Sequence, residues 1–310
     1  MIYFLVILFA LLFGIIEGVS EWLPISSTGH MILFEEILRL CHFDLSTELG
    51  FTHGSDFLSL FLVVVQFGAI IAVIIYFFKK LWPFTSLPKE KDGVSLSRDE
   101  AKVLQKENNK VIWVRWGKTL LGIIPAALFG LVFELLGWED KLSNWICVGI
   151  TLVVYGILFL VMETLLSKGK FPSKYKSVDD LPWKTAFFIG CFQVLALLPG
   201  TSRSGVTILG ALLLLSSRET AAEYSFYLSI PVMAGASLLK TVRYFVKIGN
   251  LCLNEWLFLG VGVLVSFLVS LLVVRWLMAF LKKHTFKGFG YYRIALGVIV
   301  LLVFGIASCF

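Results

Sequence analysis

The chain has 310 residues, 58% of them hydrophobic and 15% charged, with a formal net charge of +6 and a mean hydropathy of +0.88. A water-soluble domain of this length needs far more polar surface, so composition points to an all-α polytopic membrane protein. The basic residues sit in loops between apolar runs, so the positive charge is not a nucleic-acid signal and no nucleic-acid partner is expected.

The N-terminal apolar run, residues 2–13, lacks a basic flank and a small-residue cleavage site, so it is expected to stay in the mature chain. The polar stretch 14–30 follows, and then an apolar run over 31–34. Glu17 and Glu21 lie four residues apart and share a helix face. Like charges at that spacing repel unless a cation, a metal or a proton compensates. Pro24 disfavours helical geometry at Leu23, which predicts a helix stop there. Ser26, Ser27 and Thr28 are good N-cap residues for a second helix, with Gly29 and His30 following. The spacing therefore predicts helix, break, helix over residues 1–38, with carboxylates, hydroxyls and an imidazole at the break. Ionisable groups at membrane depth are a functional-site hypothesis by default.

Further along, 57–78 reads as a span and 79–110 as a hydrophilic insert in the form of a loop or short helix. Residues 111–136 and 142–166 read as two spans joined by a turn around 138–141. After a basic loop, the apolar run 185–215 is interrupted at 199–205 (PGTSRSG), and 220–239, 255–281 and 291–310 complete the set of six spans. Crossing a bilayer takes about 20 helical residues, and the halves around the two breaks are read as shorter than that, hence as re-entrant pairs. Basic residues crowd 79–118, 168–184 and 282–293, and placing those loops in the cytoplasm puts both chain ends outside.

A shift of 176 residues lays Gln193 on Glu17, Ser202 on Ser26, Arg203 on Ser27, Ser204 on Thr28 and Gly205 on Gly29. The expected architecture is two inverted-topology repeats, 1–166 and 167–310, each a re-entrant helix pair plus three transmembrane helices. Such repeats place a polar site where their broken helices meet.

The second break offers Thr201, Ser202, Arg203 and Ser204 between two glycines, at the start of a half-helix whose free N–H groups suit an anion. Arg203 adds a planar fork of donors matched to phosphate. Two carboxylates beside a phosphate mean either a divalent cation held by oxygen ligands or one acid acting as a base. Phosphoryl transfer is the reaction class this set fits best. Blander readings compete. Arg203 can be a counter-ion for Glu17 or Glu21, the hydroxyls can be caps only, and His30 can bind a backbone carbonyl. Glu134 and Glu163 read as facing water near span ends. Arg275 reads as snorkelling, Gln66 and Gln193 as interhelical hydrogen-bonders, and His42 and His53 as loop residues. Five scattered cysteines suggest no metal–thiolate site.

The stretch 17–30 (EGVSEWLPISSTGH) resembles the first motif of bacterial undecaprenyl-diphosphatases, the bacitracin-resistance family, and 199–205 (PGTSRSG) resembles the second. Residues 65–73 (VQFGAIIAV) and 224–231 (YSFYLSIP) are similar to family stretches too. Trp22 stands where the family usually has Phe, and the 79–110 insert is longer than usual. The resemblance implies hydrolysis of undecaprenyl diphosphate to the monophosphate carrier and inorganic phosphate at the outer face of the inner membrane. It implies catalytic roles for Glu17, Glu21, Ser27, His30 and Arg203 and a divalent cation, Mg2+ or Ca2+. Glu17 and Glu21 are the expected metal ligands, and Ser26, Thr28, Thr201, Ser202 and Ser204 the expected substrate contacts. Expected partners are the lipid substrate and membrane lipids, with a homodimer left open. The alternative from another class is a secondary transporter or lipid flippase that binds an anionic head group at the midplane.

Overall fold

The computed structural model describes residues 2–84, 90–91, 94–95, 97–138, 142 and 144–307. The chain opens with α1 (Ile2–Ser20), α2 (Ser27–Leu40) and the single turn α3 (Leu45–Glu48), capped by Asp44. Then come α4 (Gly54–Tyr76), α5 (Phe78–Leu81), a two-residue hairpin of β1 (Glu90–Lys91) and β2 (Val94–Ser95), and α6 (Arg98–Leu135). The second half holds α7 (Trp145–Ser167), α8 (Trp183–Gln193) with a 3₁₀ turn at Val194–Leu197, α9 (Arg203–Leu213), α10 (Arg218–Lys247), α11 (Leu253–Leu281) and α12 (Lys287–Ala307).

By length and composition, seven of the described helices can cross a membrane. Six are α4, α6, α7, α10, α11 and α12. The seventh, α1, corrects the expectation that both halves at the first break fall short of a span. Its helix runs on through Glu17 to Ser20 and reaches 19 residues. The halves α2, α8 and α9 have 14, 11 and 11 residues and do fall short. The insert also differs from a loop. Ser97 and Glu100 form a reciprocal capping box that starts α6 at Arg98, well before the apolar run. The expected turn at 138–141 and the end of the last span, 308–310, lie outside the described residues, apart from Trp138.

Small residues set the closest helix contacts, as packing in lipid favours. A Cβ on Gly14 or Gly18 of α1 would lie 2.8 or 2.9 Å from the carbonyls of Gly262 and Ser266 on α11. In the other half, a Cβ on Gly190 of α8 would collide with the Gly122 carbonyl of α6. The pairs α7–α12 and α4–α10 complete the framework, and α2 and α9 lie against α7. The core under the breaks is apolar and closed, with Trp22, Phe159, Tyr224 and Phe226 fully buried.

Charge separates towards the ends of the bundle. At one end Arg115 binds Asp179 in the loop before α8, through Nε at 3.0 Å and Nη2 at 2.8 Å. Glu163 is a second correction. Instead of facing water it is fully buried, receiving Arg218 Nε at 2.8 Å and Nη2 at 2.5 Å and the Phe286 backbone N–H at 3.0 Å. A buried carboxylate persists when its oxygens are satisfied this way, and this one ties α7, α10 and the start of α12 together. Glu134 is half-exposed and pairs with Arg243.

Candidate active site

Both breaks end in the same local geometry. Ser26 and Ser202 are N-caps with positive φ, 78° and 73°, and their hydroxyls accept from the Gly29 and Gly205 amides at 3.2 and 3.1 Å. A non-glycine residue in that region costs on the order of 1 kcal/mol or more and persists where the surroundings hold it, often at functional sites. Ser27 and Arg203 are therefore the first residues of α2 and α9, where main-chain N–H groups lack helical partners.

The two breaks meet on Glu21. Ser27 Oγ donates to Glu21 Oε2, and Arg203 Nη2 donates to Glu21 Oε1 at 2.9 Å. Arg203 Nη1 donates to the Ser225 carbonyl at 3.0 Å, and its guanidinium lies 5.8 Å from the Trp22 ring centre. The Arg203 and Glu21 side chains are only 12% and 7% exposed, so the pair is well shielded. The counter-ion reading of Arg203 and the phosphate-clamp reading thus share one geometry, because a guanidinium with two anchored corners has donors left for a ligand.

A cleft of about 380 Å³ opens beside this cluster. Glu21, Ser26, Ser27, Thr28, Ser202 and Arg203 line it, and Gln66 and Gln193 face it as well. Gln193 is 3% exposed and neither amide atom has a partner. It stands at the position the repeat aligns with Glu17. Buried amides are normally bonded, so Gln193 belongs to the site rather than serving only as a link between helices.

Other expected residues fall elsewhere. Glu17 is buried with Oε1 unpartnered and does not line the cleft. Thr201 is fully buried with its hydroxyl unpartnered. Ser204 is buried too, and its hydroxyl donates to the carbonyls of Glu21 at 3.1 Å and Leu23 at 3.3 Å. It fastens the second break to the first instead of facing the cleft. His30 is not bonded to Ser27. Its Nδ1 contacts the Ser26 carbonyl at 2.6 Å and its Nε2 contacts the Tyr292 hydroxyl at 2.7 Å, with the rings parallel. The reason is angular, since the helix carries residue 30 around to the face that packs on α12.

Sequence reasoning missed Arg293. Counted with a basic loop, it is in fact fully buried on α12. Its Nη1 donates to Pro24 O at 3.0 Å, in the first break. Its Nη2 donates to Gly200 O at 2.9 Å and Thr201 O at 3.0 Å, in the second. It forms no ion pair among the described residues; main-chain carbonyls and the Tyr155 ring, 5.7 Å away, hold its charge. The signal that finds it is an arginine at the head of an apolar segment, which membrane energetics mark as functional.

A cation can be tested against these donors. Among the described residues no cluster of three or more His, Cys, Asp or Glu forms a ready cage. Mg2+ commonly takes one or two carboxylates and completes its shell with water and substrate phosphate. The unpartnered, buried oxygen of Glu17, one turn from Glu21, fits that arrangement.

The family model for Bacitracin resistance protein BacA matches residues 10–299. The chain belongs to this family. Curated relatives match it over nearly their whole length. An undecaprenyl-diphosphatase of Limosilactobacillus fermentum is 44% identical over 303 residues, covering 97% of this chain and 99% of the relative. One from Acetivibrio thermocellus is 44% identical over 299 residues, covering 95% and 96%. The undecaprenyl-diphosphatase 1 of Clostridioides difficile is 44% identical over 297 residues, covering 95% of each.

Proposed function

We infer that this chain is a multi-pass membrane phosphatase that hydrolyses undecaprenyl diphosphate to undecaprenyl phosphate and inorganic phosphate. This activity recycles the lipid carrier for cell-wall synthesis, and by lowering the free diphosphate lipid it confers bacitracin resistance. The observation that carries the reading is the meeting of Ser27, Glu21 and Arg203 at one cleft, in a chain similar over nearly its whole length to enzymes of that name.

The chemistry follows from the hydrogen bonds. The hydrogen bond from Ser27 Oγ to Glu21 supports Glu21 as the base for Ser27. Ser27 Oγ attacks the terminal phosphorus as its proton passes to Glu21. The bond from that phosphorus to the bridging oxygen breaks, and undecaprenyl phosphate leaves with the electron pair. Water then attacks the phosphoserine, releasing inorganic phosphate and restoring the hydroxyl. Arg203, anchored by Ser225 and Glu21, turns its free donors to the phosphate oxygens, and the first-turn amides of α2 and α9 add theirs. His30, bonded to the Ser26 carbonyl and the Tyr292 hydroxyl, fixes the first turn of α2 against α12 and so positions Ser27. Glu17 and Glu21 would hold a divalent cation, which would supply charge neutralisation at the phosphate.

The inverted repeat is also our reading. Its support is the matching pair of strained serine caps and the packing of α1 on α11 beside that of α8 on α6, where the 176-residue shift relates α1 to α8 and where α6 and α11 are each the second full span after their break. The inner-membrane location rests on the family resemblance, and the opening of the cleft to the outer face is supported by the distribution of basic loops. The test is phosphate release from undecaprenyl diphosphate by the purified chain in detergent. Release above a Ser27→Ala control is expected, and its absence with an intact fold refutes the reading in favour of a binding or transport protein.

A further inference from the structure

A hydrolase buried in a bilayer makes two products with different fates. The lipid phosphate stays in the membrane, whereas inorganic phosphate has to leave through water. The cleft offers one such route. Along α10, Met233 and Ala236 line the cleft, and Ala236 and Glu134 are shared with a second cavity of about 390 Å³. That basin is formed where the start of α4 and the end of α6 meet the end of α10.

Its charges are set by helical spacing. Lys240, Arg243 and Lys247 recur every three or four residues on α10 and so share a face. Opposite them are Asp56 and Glu134, the latter held by Arg243. Three cations against two carboxylates leave one positive charge in excess. Tyr244 lines the same basin, is 5% exposed, and its hydroxyl has no hydrogen-bond partner. A buried, unpartnered hydroxyl is rare and marks a missing ligand or water.

We propose that this basin is the exit site for inorganic phosphate, in which Tyr244, Lys240 and Lys247 take the anion as it passes the Arg243–Glu134 ion pair at the mouth of the cleft. A small excess of charge suits this task, since it draws an anion without retaining it. Arg243 masks the carboxylate that would otherwise repel phosphate at the threshold. The proposal rests on the hydrolase reading given above. A phosphate group on a membrane lipid has the same chemistry, but only the free anion needs a path from the cleft to water.

The experiment measures initial rates of the full-length enzyme in detergent with added inorganic phosphate. In the wild type, a component of inhibition that substrate does not relieve is expected. Losing two cations near an anion in watery surroundings weakens binding about tenfold, so Lys240→Gln/Lys247→Gln should raise that inhibition constant about tenfold. Tyr244→Phe, which keeps the ring, should raise it severalfold, and Lys240→Arg/Lys247→Arg should keep it. Inhibition constants within twofold of wild type in both the double variant and Tyr244→Phe overturn the proposal. So does a response seen only when phosphatidylglycerol replaces phosphatidylcholine in nanodiscs, which assigns the basin to a lipid headgroup. Absence of hydrolysis by the wild type defeats the hydrolase reading itself, a result distinct from either.

Discussion

Arg293→Lys tests how the two breaks are held in register. The guanidinium spans three carbonyls, one from the first break and two from the second, at 3.0, 2.9 and 3.0 Å. An ammonium keeps the charge but is a single point on a flexible stem, so it cannot reach both breaks at once. If it keeps one carbonyl, two charged hydrogen bonds are lost, at about 1.5–3 kcal/mol each. The helices stay inserted, because each forms its own backbone bonds. The cost of about 3–6 kcal/mol therefore falls on the register of the breaks, and with it on the placement of Ser27 and Arg203 about one phosphate. Misplacement of about 1 Å lowers turnover about a hundredfold. The expectation for Arg293→Lys is a fall in kcat of about a hundredfold or more with KM changed much less, and a lower melting temperature in detergent. Phosphate release from undecaprenyl diphosphate gives the first two quantities, and scanning fluorimetry gives the third. A variant with kcat within threefold of wild type and unchanged melting refutes the register argument.

Arg203→Lys should lose about a hundredfold in kcat/KM, since it forfeits the anchor on Ser225 and the fork toward phosphate, while eluting as wild type on size exclusion. Ser27→Ala should fall to background in the phosphate-release assay; a tenth or more of wild-type turnover means that water is the nucleophile. His30→Gln and Tyr292→Phe should each lower activity modestly and be strongly non-additive together, because they remove the same hydrogen bond; additive losses separate the two side chains. A chelator should abolish turnover, and Glu17→Gln should raise the Mg2+ concentration for half-activity about tenfold; activity untouched by chelation removes the cation from the site.

Much of this protein is written in local sequence. Apolar runs set where helices lie, Pro24 and the serines after it set where α1 ends and α2 begins, and the two polar motifs carry Glu21, Ser27 and Arg203. These are effects of neighbours within a few residues, which a chain expresses in any packing. The tertiary structure decided the rest. Ser27 turned to Glu21, and not to His30, because the break rotates the start of α2 while the helix carries residue 30 around to Tyr292. Glu163 is buried because Arg218, 55 residues on, comes back to meet it. Arg293 looks like one more cation at a span end until α12 packs on α7 and carries it beneath the loops at 24 and 200–201, which lie 269, 93 and 92 residues away along the chain. A charge near the end of an apolar run can reach water or fold inward, and local sequence gives both the same pattern. Which one occurs depends on whether other helices bring carbonyls or a carboxylate to meet it, and that is a property of the packed bundle alone.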